Sequence, residues 1–174
     1  MSDLDNGVQQ EFDVVVVGAG FAGMYMQHRI QQRGLSVRLY EAGSGVGGTW
    51  YWNRYPGARV DIESVEYSYS FDEELQQEWS WSERYASQPE LMKYCNHVAD
   101  RFDLRKNMRF DTKVVSAHYD EKTRRWIIKT SKQDTVSTKY CVLATGFLSS
   151  GSVPDFNGLQ DYQGNKYLTS KWPK

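Results

Sequence analysis

Cysteine is scarce in this chain. Cys95 and Cys141 are the only two, one in a helical pattern and one in an apolar strand run. Two such distant thiols exclude a disulfide framework and read as small buried hydrophobes in a reducing compartment. Histidine is scarce too: His28, His97 and His118 are scattered with no ligand spacing to cysteines or carboxylates. No metal site is therefore expected, and all three are expected at surface or boundary positions. An excess of basic charge is missing, since 21 Lys plus Arg face 22 Asp plus Glu for a formal charge of -1. A chain so balanced is not built to neutralise a phosphate backbone, so no nucleic-acid partner is expected. No apolar run is long enough to cross a bilayer, so no membrane partner is expected. Residues 1–11 are polar and acidic, unlike a secretory signal, and read as a flexible tail. The absences leave a cytoplasmic globular domain of 174 residues, with no signal of oligomeric state.

What the chain does have begins at Phe12–Val17, an apolar, β-branched run suited to a strand buried on both faces. Three glycines follow, Gly18, Gly20 and Gly23. Ala22, Gly23, Met26 and Ile30 then share one face of a helix that ends near Gly34, and Leu35–Tyr40 forms the next strand. This is a strand–helix–strand unit of ordinary size. Residues 42–66 show no clean period and are expected to form an extended loop. Ser87 and Glu90 have capping-box spacing ahead of a helix over 88–102, with Leu91, Tyr94, Cys95, Val98 and Phe102 as its apolar stripe. Runs at 112–119, 125–130 and 135–140 predict an antiparallel meander. The last runs on into Tyr140–Ala144, read as another buried strand, and residues 149–174 are rich in Gly, Ser and Pro, as in a connection.

Each glycine of the G-x-G-x-x-G has a mechanical reading. Gly18 allows a tight turn, Gly20 leaves room for a pyrophosphate, and Gly23 lets the helix sit against the strand. The helix N-terminus then offers free N–H groups and a positive dipole end to phosphate. Glu41, 18 residues after Gly23, is placed to accept both hydroxyls of an adenosine ribose and to repel a 2′-phosphate. That favours FAD or NAD over NADP in this first site. The rival reading is of plain turn glycines in an α/β domain. Residues 43–61, GSGVGGTWYWNRYPGARVD, add a second glycine cluster and dense aromatics, which suit a larger cofactor than NAD. Taken singly, Trp50, Tyr51 and Trp52 are equally well read as core or interface aromatics.

The stretches GGTWYWNRYPGARVD (47–61), IESVEYSYSF (62–71) and ERYASQPELMKY (83–94) resemble the Baeyer–Villiger monooxygenases. The resemblance runs from about residue 12 to the end. It implies an α/β fold, a Rossmann-like FAD-binding domain with a parallel sheet, a three-stranded antiparallel β-meander and an inserted helical segment. It implies an FAD-binding domain over 12–148 and a linker over 149–174. It implies the FAD part of an enzyme that uses NADPH and O2 to turn a ketone into an ester or lactone. Gly18, Gly20, Ala22 and Gly23 would line the pyrophosphate and Glu41 the ribose. Gly48, Thr49, Trp50, Tyr51 and Trp52 would run along the flavin, and Arg59 and Val60 beside the nicotinamide. Asp61 would support the active site, Tyr67 would be a further FAD neighbour, and Val114 would offer its backbone to adenine. The family's linker signature is F-x-G-x-x-x-H-x-x-x-W-P; here YQGNKYLTSKWP (162–173) puts Leu168 where histidine is expected. A related flavin N- or S-monooxygenase, a NAD-binding dehydrogenase domain and a non-catalytic FAD-binding fragment are the alternatives. The family's NADP domain and catalytic arginine would follow this sequence, so no turnover is expected of these 174 residues alone.

Overall fold

The computed structural model describes residues 8–173. One six-stranded sheet organises the chain. Its strands are β1 (Gln10–Val17), β2 (Val37–Tyr40), β3 (Met108–Arg109), β4 (Val114–Asp120), β5 (Arg125–Thr130) and β6 (Thr135–Leu143), in the order β3-β2-β1-β6-β5-β4. The first four in that order run parallel, and β6, β5 and β4 are antiparallel neighbours. The expected parallel sheet and meander are thus one sheet, because β6 belongs to both. Its first half pairs with β5 and its whole length with β1.

β1 sits between β2 and β6, and its valines are buried alternately on both faces. Val14 and Val16 join the core under the helices, and Val15 joins Tyr40, Ile128 and Val136 on the other side. Each fully buried Val is worth about 1.5–3 kcal/mol. Asp13 fixes the register at the start: its Oδ2 accepts from the Ser36 N–H (3.0 Å) and hydroxyl (2.7 Å), and its Oδ1 from Lys139 Nζ (2.8 Å). The far end of β6 departs from expectation, since Tyr140 is 62% and Leu143 67% exposed. β5 pairs with β6 only as far as Thr138, so one flank of that end is uncovered.

Among the described residues, four α-helices complete the fold: α1 (Phe21–Gln32), α2 (Thr49–Trp52), α3 (Glu73–Glu78) and α4 (Gln88–Arg101). Helix α1 is turned from the expected face: Gly23, Met24, Gln27, His28 and Ile30 are buried, while Ala22 and Met26 are exposed. The close approach of Gly23 to the strand sets this rotation, and it carries two polar residues inward. Gln27 Nε2 donates to the Leu104 carbonyl (2.6 Å), and the His28 ring packs on Phe71 and Phe102 at 4.7 and 4.6 Å. His28 is therefore a core residue, not the surface or boundary residue expected, and burial lowers its pKa.

The α4 stripe is as expected, with Leu91, Tyr94, Cys95 and Val98 buried, but no capping box forms. Ser87 is drawn into extended pairing with Arg59, flanked by Val60 N–H to Ala86 O and Gln88 N–H to Ala58 O. Glu90 instead accepts from the Ser82 N–H (2.7 Å) and hydroxyl (2.9 Å). Helices α2 and α3 lie in stretches that carry no clear periodicity. Asp72 caps α3, its Oδ1 accepting from the Leu75 N–H at 2.8 Å. Both cysteines are free. Among the described residues, no helix is long and apolar enough to cross a membrane, and no three His, Cys, Asp or Glu side chains gather as metal ligands.

Candidate functional site: a crevice at the carboxyl ends of β1 and β6

From β1 the chain crosses to β2 on one side, while β6 lies on the other. That reversal opens a crevice at the carboxyl ends of the strands, the usual place for a ligand in an α/β sheet. Here it is a cavity of about 670 Å³. Its floor is the turn after β1. Gly18 has φ +104°, and a Cβ there would come within 2.5 Å of the Ala144 carbonyl oxygen. A Cβ on Gly23 would overlap the Gly18 carbonyl oxygen, so Gly23 serves helix–strand packing and is not in the cavity lining. Gly20 differs from both: its φ is −76°, and its nearest neighbour would be the Gly48 Cα at 3.5 Å. Room inside the protein does not require glycine at position 20; it lines the open cavity.

Gly20 is also the N-cap of α1. No side chain caps that end, and no acidic residue lies in the first turn. Free N–H groups and the positive end of a 12-residue helix therefore face the crevice, where Ala22 also lies. Opposite stands the second glycine cluster. Gly47 (φ +119°) donates its N–H to the Ala19 carbonyl at 2.9 Å, and a Cβ on Gly48 (φ +53°) would come within 2.8 Å of the Gly20 Cα. Two side-chain-free turns thus touch backbone to backbone.

Glu41 lines the cavity just beyond β2 and is 5% exposed. Its Oε2 accepts from the Ala19 N–H and its Oε1 from the Gly43 N–H, both at 2.7 Å. The carboxylate ties the two glycine turns to each other, and each oxygen keeps a further lone pair for a ligand hydroxyl. Trp50, Trp52 and Tyr67 form an aromatic wall, with Thr49 beside them in the lining. Trp50 Nε1 donates to the Tyr67 hydroxyl at 2.9 Å, and Tyr67 meets Phe21 edge-on at 5.1 Å. Burial raises the Tyr67 pKa. Val114 lies on the opposite wall, at the irregular start of β4.

Besides Gly23, four of the expected residues are not in the lining. Tyr51 turns to the glycine loop, its hydroxyl accepting from the Ser44 N–H at 3.0 Å. Arg59 Nη1 donates to Glu83 Oε2 (2.8 Å) and the Tyr85 carbonyl (2.7 Å). Val60 is core, packed with Trp50, Ala86 and Leu91. Asp61 is exposed on a bend. The sequence reading missed the wall from Leu143 to Gly146, with Leu148 to Ser150, and also Val17, Phe21, Tyr40, Ala42, Thr112 and Lys113. The signal was available: the carboxyl end of a strand beside β1 must share its crevice. Glu41 and Lys113 are the charged side chains of the lining, one on each side. Leu168 lies outside the cavity, heading a short 3₁₀ turn beside the tilted ring pair of Tyr167 and Trp172, 5.3 Å apart.

The family model described as "Pyridine nucleotide-disulphide oxidoreductase" matches residues 15–174. A Baeyer-Villiger monooxygenase of Pseudooceanicola batsensis is 50% identical over 168 residues, covering 96% of this chain and 31% of that protein. An oxidized steroid monooxygenase bound to NADP superposes with a TM-score of 0.89 at 57% identity, over 94% of this chain and 31% of that one. The complex of the monooxygenase OTEMO with FAD and NADP gives 0.88 at 44% identity, over 93% and 30%. The chain thus spans about a third of the length of these relatives. On this evidence of sequence and fold, the chain belongs to the pyridine nucleotide-disulphide oxidoreductase family, and it is similar to part of each of these monooxygenases.

Proposed function

We propose that this chain is the FAD-binding portion of an NADPH- and O2-dependent monooxygenase that converts ketones to esters or lactones. The observation that carries the reading is the crevice at the β1–β6 switch, where an uncapped helix end faces a cradle of Gly18, Gly20 and Gly48. That cradle fits a diphosphate: a Cβ at Gly20 would stand in its way, though the protein itself would tolerate one. Glu41 then takes ribose hydroxyls, Val114 lies beside adenine, and Thr49, Trp50, Trp52 and Tyr67 run along the flavin. Gly23, Tyr51 and Val60 act one layer out, by packing. Arg59 and Asp61, on the exposed 53–62 loop, are assigned to the nicotinamide side, with Asp61 in a supporting electrostatic role.

Bound FAD supplies acceptance of hydride from NADPH and activation of dioxygen. The residues of this chain bind and orient it, and the aromatic wall, anchored by the buried Trp50, keeps water from one side of the site. One oxygen atom enters between the carbonyl carbon and its neighbour, and the other leaves as water. Residues 12–148 form the binding domain, 149–174 the connection, and the protein is assigned to the cytoplasm. Oxidation at nitrogen or sulfur is the second reading, favoured by Leu168 at the position of the signature histidine. Heat-release of the bound cofactor followed by mass measurement tests the proposal. FAD is expected, and NAD without flavin would overturn it.

A further inference from the structure

Aromatic residues are not spread evenly through this molecule. The core between the sheet and α1 is largely aliphatic, built on Val14, Val16, Leu39, Met24 and Ile30. The rings gather instead in a continuous string that starts in the crevice wall. Trp50 touches Tyr67 (5.8 Å between centroids), Tyr67 touches Phe21 (5.1 Å), and Phe21 touches both Tyr69 (5.1 Å) and Tyr94 (6.1 Å). Tyr94 in turn meets Trp81 at 5.0 Å and Trp79 at 5.1 Å. The string ends in a second, small cavity of about 100 Å³, lined by Ser68, Trp79, Trp81 and Tyr94 among others. It therefore joins two cavities, the crevice at one end and a small cavity at the other.

Packing alone asks only for apolar volume, which leucine or phenylalanine supplies. On the route from Trp50 to Trp81 all members but Phe21 are tryptophan or tyrosine, aromatic side chains that give up an electron readily, while Tyr69 also leads to a side branch at Phe71 and Phe102. The polar atoms along the route from Trp50 to Trp81 are provided for, whereas Trp79 Nε1 beside it is buried without a partner: the Trp50 N–H bonds Tyr67, the Trp81 Nε1 donates to Ser68 Oγ at 2.7 Å, and the Tyr94 hydroxyl accepts from the Tyr69 N–H at 2.8 Å. We propose that Trp50, Tyr67, Tyr94 and Trp81 form a one-electron relay that carries oxidising equivalents from the crevice to the second cavity. The proposal rests on the reading that the crevice holds a flavin at which dioxygen is reduced.

When an oxygen radical forms there, one electron passes to it from the Trp50–Tyr67 pair. Tyr94 refills that pair across Phe21, and Trp81 refills Tyr94. The indole proton of oxidised Trp81 leaves by way of Ser68 to water. A soluble thiol at the second cavity then gives one electron to Trp81 and its proton to water, leaving as a thiyl radical, and water returns the indole proton. The net change is one electron from the thiol, which becomes a thiyl radical, to the oxygen radical, which takes up a proton from water, with the protein restored.

The test uses the FAD-loaded protein without oxygen. A light flash makes the bound flavin the one-electron oxidant, and the protein radical is followed by time-resolved absorption and electron paramagnetic resonance. In the parent protein the long-lived radical is expected to be tryptophan, with a decay that quickens as glutathione is added. Tyr94→Phe keeps the ring and should lose both the long-lived signal and its dependence on glutathione. Trp81→Phe should do the same, and it serves should Tyr94→Phe fail to fold. A radical that stays glutathione-insensitive in the parent, or that is unchanged in a folded variant, overturns the relay while leaving flavin binding intact. A protein that takes up no flavin overturns the reading of the crevice, and the relay with it.

Discussion

Replacing Gly20 with alanine separates what the fold needs from what the ligand needs. The new methyl would have the Gly48 Cα at 3.5 Å, an ordinary contact, and φ of −76° suits any L residue. Alanine is a poorer N-cap than glycine by roughly 0.5–1 kcal/mol, and in a chain of this size that lowers Tm by about 1–4 °C. For a diphosphate, the same methyl stands where backbone N–H groups must approach. Loss of one charge-assisted hydrogen bond, about 1.5–3 kcal/mol, weakens FAD binding by roughly 10- to 100-fold. Gly23→Ala is the control, since its methyl overlaps the Gly18 carbonyl oxygen and the backbone must move. That costs about 3 kcal/mol or more, or a Tm loss of about 6–12 °C. Calorimetric titration with FAD and thermal melts of both variants read the two effects. Wild-type FAD affinity in Gly20→Ala, or a wild-type Tm in Gly23→Ala, would refute the reasoning.

Three further outcomes follow from the geometry. Glu41→Gln leaves a backbone N–H of Ala19 or Gly43 facing an amide NH2, so a stability loss of about 1–3 kcal/mol is expected by denaturant melts, together with weaker FAD binding; unchanged stability would sink the assignment. His28 is held neutral by burial, its folded pKa lying below the unfolded value of about 6.5. The unfolded chain therefore binds more protons on acidification, and stability should fall as pH drops below about 6.5 and recover above it; melts of His28→Gln should show a shallower slope over that window, and an identical slope would count against it. Burial pushes the Cys95 thiol up to about 12, so Cys95 should resist a thiol reagent at pH 8 until the protein unfolds, and prompt labelling mapped to it would contradict the packing.

Much of the fold is legible in the chain because its period-two and period-3.6 patterns are strong where the sheet and α4 form. β1, β5 and α4 fall within a residue or two of the positions expected for them, 12–17, 125–130 and 88–102. The mechanical roles of Gly18 and Gly23 are legible too, because only glycine meets their steric demands. The rotation of α1 is not, since the approach of Gly23 buries Gln27 and His28, and a hydropathy pattern assigns polar residues to solvent. The Ser87–Glu90 box fails for a similar reason: pairing between residues 58–60 and 86–88 outbids a local cap. The β6 side of the crevice is invisible to a motif centred on β1, because it depends on which strand lies alongside.

β6 has a mechanical consequence. One continuous backbone segment is shared by the parallel and antiparallel halves, so neither half can melt away and leave the other's hydrogen bonds whole. Heat or denaturant should meet a single concerted transition, and damage at the distant β4 hairpin should be felt at the floor of the crevice.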